Sequence, residues 1–382
     1  MTHTERLLAL AALGLSLAVQ AADAPPHIET RHGAIAMSAQ PIAVEGGFTA
    51  VLQAADDRAI EPELGASFDL LTTLPAGAGK WVIYIEGNTS PRSDGASSLL
   101  GETNADAGSA LDRDGNGRLQ VSEAHYFHPL NGGLLVSGLL DVTSSLDSSE
   151  VANDETSQFL SSALVNNPTI GFPDYSLGVV YNREIGEDRG YSLALTSSHG
   201  LADNPHASYA QLLDVDADGK GLFAAAEGQW PLDGTRLHAG AWVNTADHTR
   251  LDGGSGTRQN YGLYLTVDGR LATGQWNLRA GLANDQVSPA SRFLSAALET
   301  PLRQINRASL GLGVAYTGLS SELATPGQDD TLHAEAYLRL SPREDVTLTP
   351  ALQWLRNSGF DASGATVDAQ QLLLSLRLNY TF

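Results

Sequence analysis

Gln371-Leu-Leu-Leu-Ser-Leu-Arg-Leu-Asn-Tyr-Thr-Phe382 decides how this chain folds. Read with period two, one face carries Leu372, Leu374, Leu376, Leu378, Tyr380 and Phe382; the other carries Gln371, Leu373, Ser375, Arg377, Asn379 and Thr381. Successive side chains of a strand point to opposite faces, so one face is apolar and the other mostly polar. An arginine and an asparagine in the middle of the polar face would be costly in a dry core unless paired. A wall with lipid outside and water inside fits better, which makes this a transmembrane β-barrel strand of roughly 9–11 residues. The alternative reading is a buried edge strand of a soluble sandwich. Tyr380 and Phe382 also close the chain on two aromatics of one face, which resembles the terminal assembly signal of bacterial outer-membrane proteins.

The same alternation recurs upstream. Leu64, Ala66, Phe68 and Leu70 oppose Ser67 and Asp69; Leu237, Ala239, Ala241 and Val243 oppose His238, Gly240, Trp242 and Asn244; Leu332, Ala334, Ala336, Leu338 and Leu340 oppose His333, Glu335, Tyr337 and Arg339. An amphipathic helix would need apolar recurrence near every 3.6 residues, which these windows do not show. With the less regular segments, the pattern predicts an all-β, antiparallel, up-and-down transmembrane barrel of about sixteen strands, an even number as bacterial single-chain barrels have. Short turns are expected at Pro129-Leu-Asn-Gly-Gly133, Pro231-Leu-Asp-Gly234, Asp268-Gly269 and Pro342-Arg-Glu-Asp345. Long extracellular loops are expected over residues 88–117, 147–169, 246–259, 320–330 and 357–369.

The chain's beginning and its composition agree with export. Residues 1–21 read as a secretory signal, with Arg6 in the n-region, an apolar run from Leu7 to Val19, and Val19-Gln20-Ala21 at the cleavage positions. Residues 22–45 are expected as a periplasmic lead-in and 46–382 as the barrel. There are 39 glycines against 16 prolines and no cysteine, so no disulfide framework supports the fold. A formal charge of −22 argues against nucleic acid as a partner and against adsorption to anionic lipid.

One internal region resembles a family. It runs from Ser122-Glu-Ala-His-Tyr-Phe through Asn131-Gly-Gly-Leu-Leu-Val-Ser-Gly-Leu-Leu-Asp141. A loop with Glu150 and Phe159-Leu160 comes next, and then Gly171-Phe-Pro173. It looks like the carbohydrate-selective porins of Gram-negative outer membranes. The resemblance implies a passive pore for sugars or other small hydrophilic solutes, in the outer membrane, often trimeric. It also implies that the loop 147–169 folds inward as a constriction. Glu150, Asp154 and Glu155 are then candidates to line the eyelet, or else they merely solvate an extracellular loop. On the lumen phase of the wall fall Asp141, Glu227, His238, Trp242, Tyr264, Arg279, Glu335, Arg339 and Arg377. Inward Trp242 and Tyr264 are candidates to stack on a sugar ring.

A second motif, Asp112-Arg-Asp-Gly-Asn-Gly-Arg-Leu-Gln-Val-Ser-Glu123, matches the calcium loop of an EF-hand. Asp112, Asp114 and Asn116 fall at positions one, three and five, Arg118 offers a carbonyl at seven, and Glu123 a carboxylate at twelve. Poor helical context leaves a plain Asp/Asn/Gly turn as the alternative. No cofactor is required by this reading, with Ca²⁺ as a candidate and a calcium-stiffened surface barrel as a competing function. Enzyme motifs are missing: there is no Gly-x-Ser-x-Gly, no His-Glu-x-x-His and no phosphate-binding loop. Ser198-His199 is the single adjacent pair that an outer-membrane hydrolase would need.

Overall fold

In the computed structural model, residues 42–382 are described apart from 187–188, 205–206, 216–219, 324–328 and 358–369. The expected signal, most of the lead-in and nearly all of the loop 357–369 lie outside these residues. Sixteen antiparallel strands close into one barrel in simple up-and-down order. They run from β1 (Ala43–Ala55) to β16 (Gln370–Thr381). Closure is by β1 against β16, with Phe48 opposite Tyr380, Ala50 opposite Leu378 and Leu52 opposite Leu376. The first strand starts at Ala43, three residues before the expected boundary, because Ala43, Val44 and Glu45 already pair with Thr73, Thr72 and Leu71 of β2 (Glu63–Ala76).

The accessibility of β16 is inverted relative to a soluble sheet. Leu372, Leu378, Tyr380 and Phe382 are exposed, whereas Arg377 is 1% and Ser375 2% exposed. The inversion recurs on β10 (Thr257–Leu271), where Leu263 is 61% exposed and Thr266 is 0%. Apolar side chains outward and polar ones inward is the arrangement of a lipid-facing wall around an interior that can hydrogen-bond.

Tight hairpins join strands at one end. Asn131-Gly132 and Asp233-Gly234 take positive φ at both central residues. Such turns match the right-handed twist of the flanking strands, and Asn, Asp and Gly tolerate the left-handed region. Glu344-Asp345 turns where expected, between β14 (Thr331–Arg343) and β15 (Val346–Arg356). Asp268-Gly269 does not turn. It lies within β10, pairing with Asn277 and Trp276 of β11 (Gly274–Ala283), because the aromatic and apolar alternation carries the strand through it. The expected loop 246–259 is shorter for the same reason, since β9 (Thr235–Thr249) and β10 extend into it.

Candidate functional site

Between β5 (Gly133–Leu140) and β6 (Ser176–Glu184), residues 141–175 fold into the barrel. Asp141 opens the segment by accepting from the Thr143 amide at 2.9 Å, which caps a 3-10 turn, Val142–Ser144. Further on, the chain makes one helical turn, Ser162–Val165. Val151, Ala152, Phe159, Leu160, Ala163, Leu164 and Val165 pack against Val51, Phe293, Ala297, Ala315, Tyr337 and Ala351 of the inner wall. Phe159 meets Tyr337 edge-on with centroids 5.0 Å apart. The wall leaves room for this. A Cβ on Gly313 would fall 2.8 Å from Leu164 and Phe159, and one on Gly281 would fall 2.0 Å from Thr169 Oγ1.

The inward charges of that arc hold the loop. Arg279 donates to the Leu164, Val165 and Asp147 carbonyls at 3.0, 3.1 and 2.7 Å. Its Nε also lies 3.4 Å from the Asp147 carboxylate. Arg377 donates to the carbonyls of Glu155 and Gln158 at 2.5 and 2.8 Å, and Arg339 to that of Ser157 at 3.0 Å. Glu335 accepts the Leu160 and Ser161 amides, each at 2.9 Å. Glu227 accepts the Asp147 amide at 2.7 Å and the Tyr264 hydroxyl at 2.9 Å, with His238 Nδ1 at 2.8 Å. A loop without regular structure would otherwise bury unsatisfied carbonyls and amides; fixed charges on the wall satisfy them.

Several residues expected to line the pore therefore sit elsewhere. Glu227, Arg279, Glu335, Arg339 and Arg377 do project inward, but they bond the loop rather than face the channel. Trp242 and Tyr264 are 3% and 4% exposed, clustered with Phe223, Ile170 and Phe172, so neither ring offers a face to a solute. Alternation along a strand gives the side of the wall and not what covers it.

On the opposite side of the loop a polar cavity of about 900 Å³ remains. Asp141, Glu150, Asp154, Glu155 and His238, all expected from sequence, line it. So do carboxylates that sequence reasoning missed: Glu45, Asp69, Asp106, Asp174 and Asp268. Among the described residues, Arg236 is the one arginine in the lining and there is no lysine; Arg236 Nη1 is paired to Glu150 at 3.0 Å. Asp106 arrives from the segment between β3 (Gly79–Asn88) and β4 (Leu119–Leu130), which also dips inward. Ser67 Oγ donates to its carboxylate at 2.6 Å and Asn88 Nδ2 to its carbonyl at 3.1 Å. Nothing in that polar stretch distinguishes it from an exposed loop, because its partners Ser67 and Asn88 are distant in sequence.

Burial sets the ionisation of these loop acids. It pushes Asp106 up to about 6 against the Ser67 hydrogen bond, with Asp69 and Glu86 adding to the rise. Asp174 is raised well above the usual range by burial and by Asp141, Asp203 and Glu86. At Asp154 burial acts upward too, but hydrogen bonds from Ser157 and Thr156 outweigh it and lower the carboxyl.

The Asp112–Glu123 string divides in the structure. Asp112 Oδ1 accepts the Asp114 and Asn116 amides at 2.9 and 2.8 Å, an Asx turn closed by Leu111 pairing with Gly117. Arg118 points away, donating to Gln120 and to the Ala207 carbonyl. Glu123 is 1% exposed on β4, where it accepts the Asp141 amide at 3.2 Å. It lies five residue steps beyond Arg118, roughly 16 Å of extended chain at about 3.3 Å per step. The ligand expected at position twelve is thus not brought to the turn, because the chain beyond Arg118 is strand and not helix. Among the described residues no cluster of three His, Asp or Glu side chains is arranged to hold a metal.

These features define a pore-forming outer-membrane barrel with an internal constriction. The family model "Carbohydrate-selective porin, OprB family" matches residues 113–382, and the chain belongs to that family, whose members reside in the Gram-negative outer membrane. The OprB of Pseudomonas putida at high pH superposes with a TM-score of 0.70 at 11% identity, covering 89% of this chain and 94% of that one. OmpT of Vibrio cholerae, solved in a trimer form, gives 0.56 at 11% identity over 90% and 99%. A mutant of the Rhodopseudomonas blastica porin gives 0.51 at 13% identity over 90% and 100%. At these identities the likeness is one of fold. An uncharacterised protein of Aquifex aeolicus is 36% identical over 87 residues, which span 23% of this chain and 28% of that protein.

Proposed function

We propose that this chain is a passive diffusion channel for sugars and other small hydrophilic solutes. The observation that carries this reading is the cavity: the loop 141–175 packs against one side of the barrel and leaves an acid-lined cavity of about 900 Å³ on the other. Passage through such a bore is set by its narrowest point and by the charges lining it. The acids of the lining outnumber its single arginine, so anionic solutes are disfavoured against neutral or cationic ones of equal size. Liposome swelling with neutral monosaccharides tests the channel. Permeability above empty vesicles is expected, and swelling no faster than in empty vesicles would refute it.

The competing readings have less support. Ser198 Oγ lies 3.1 Å from His199 Nδ1, but it is 6% exposed and accepts the Gly221 amide at 2.9 Å, which suits a structural hydroxyl, so we read the chain as a channel and not a hydrolase. The Asp112 turn reads as an Asx turn without calcium. The exposure of Tyr380 and Phe382 beside Phe48 on the outer face supports our reading of them as lipid contacts and as the signal for the barrel-assembly machinery. A homotrimer is the assembly we infer, by analogy with the trimeric Vibrio barrel.

A further inference from the structure

The constriction has two arms, and we propose that Gln353, on β15, is the positioning residue that couples them and so sets the size limit of the channel. This deepens the porin reading and rests on it. The first arm is the 141–175 loop. The second is the inward dip of the β3–β4 segment, residues 102–107. The two arms bond one another: the Ala105 amide donates to the Leu160 carbonyl at 2.8 Å, and the Ser162 amide to the Glu102 carbonyl at 3.1 Å.

Both arms are also fixed to the same few wall residues. Gln353 Nε2 donates at 2.9 Å to the Thr103 carbonyl of the second arm and at 3.0 Å to Glu335 Oε2. That same Glu335 oxygen accepts the Ser161 amide of the first arm. Gln53, on β1, adds a second donor to the Thr103 carbonyl at 3.2 Å while also reaching Ser375 Oγ at 3.1 Å. Gln353, Gln53 and Glu335 are 2%, 2% and 3% exposed, so water does not compete for these bonds. The amide of Gln353 is thus the link between the carboxylate that seats one arm and the carbonyl that seats the other. The second arm carries Asp106 into the channel lining, so displacement of that arm changes the bore itself.

The geometry requires an amide at this place. A carboxylate would face the Thr103 carbonyl and Glu335 with no proton to donate, and an apolar side chain of equal length would leave that carbonyl to the longer Gln53 bond alone and remove the link to Glu335. The barrel ladder does not depend on either bond, since Gln353 pairs through its backbone with Glu335 and Leu373 in any case.

The test is Gln353→Met, nearly isosteric, with Gln53→Met as a second variant, each purified as the full barrel and reconstituted in liposomes. The readout is the permeability to a trisaccharide divided by that to a monosaccharide, with the melting temperature recorded alongside. A rise of about two-fold or more in the ratio, with the melt unchanged, is expected for a relaxed bore. A disulfide between cysteines at positions 102 and 162, whose backbones are hydrogen-bonded, should return the ratio to the parent value in the Met background. An unchanged ratio in both Met variants overturns the proposal. So does a raised ratio that the disulfide leaves untouched, because the wall and not the arm would then be responsible. A parent protein that passes no sugar refutes instead the porin reading beneath it.

Discussion

Two arcs of the inner wall obey the same alternation and meet opposite fates. From β11 through β16 to β1, inward charges lie beneath the loop: Arg279 and Arg377 are each 1% exposed and Glu335 3%. On the arc from β1 to β5 and in the loop facing it, Asp69, Asp141 and Glu155 meet the cavity. The first arc behaves as the core of a soluble protein, with apolar packing and every charge bonded. The second meets the cavity at Asp69, although Glu86 and Glu123 on the same arc are 3% and 1% exposed and bonded to the loop. An inward charge on a barrel strand is therefore not by itself a pore residue; what decides is whether a loop needs it.

The comparison breaks most sharply at Arg279. Arg279→Met removes the donors to three loop carbonyls and the partner of Asp147, and leaves that carboxylate buried. Removing one member of a buried pair costs about 3–5 kcal/mol. Here the cost falls on loop docking, so single-channel conductance should rise and protease should cut within residues 150–160. Unchanged conductance with a resistant loop would merge the two arcs into one.

Next in size is Phe159→Ala, which empties the space against Tyr337 and Leu164. Large-to-small changes of a buried phenylalanine cost about 3–5 kcal/mol, less where the site collapses. Intermittent open states in single-channel records are the expected sign. The cavity-facing side is sharpened by Asp141→Asn with Glu155→Gln. Cation-over-anion permeability should fall by roughly two-fold at low salt and by less at 1 M, where screening acts within about 3 Å.

A pH series gives a smaller effect. The Asp106 carboxyl, raised to about 6, holds its proton in the folded state between about pH 4 and 6 while the free group has lost it. Docking of the second arm is therefore firmer at pH 5 than at pH 7.5, and the channel gains one negative charge as pH rises through 6. Reversal potentials measured at the two pH values should show stronger cation preference at the higher one, and Asp106→Asn should reduce that difference, the Asp174 carboxyl in the same lining being raised as well. Smallest of all is calcium: adding it should leave the melting temperature of the protein unchanged, and Asp112→Ala with Glu123→Ala should make no calcium-dependent difference.

Much of the fold was legible because lipid and water impose a period of two that nothing else in the chain obscures. Strand number, closure and the outward face of β16 all derive from it. The inward bend of the 141–175 loop was legible as a family resemblance, carried by Glu150, Phe159-Leu160 and Gly171-Phe-Pro173. What covers what was not legible. The seats for Leu164 and Phe159 on Gly313, and the bonds of Glu335 to the Leu160 and Ser161 amides, join residues more than a hundred positions apart. Asp106 was invisible because its partners Ser67 and Asn88 lie on the strands before its segment. Along the Asp112–Glu123 string the spacing was legible but the backbone was not: the chain from Leu119 is strand, which carries Glu123 away from the turn.

Absence of cysteine in the chain makes one measurement direct. Single cysteines at Asp141, facing the channel, and at Leu263, 61% exposed on the outer wall, can be treated with a charged, membrane-impermeant thiol reagent in planar bilayers. The account predicts that Asp141→Cys reacts and loses current while Leu263→Cys neither reacts nor changes. Equal labelling of both, or labelling of Asp141→Cys with no loss of current, would contradict an aqueous passage between the loop and the acidic wall.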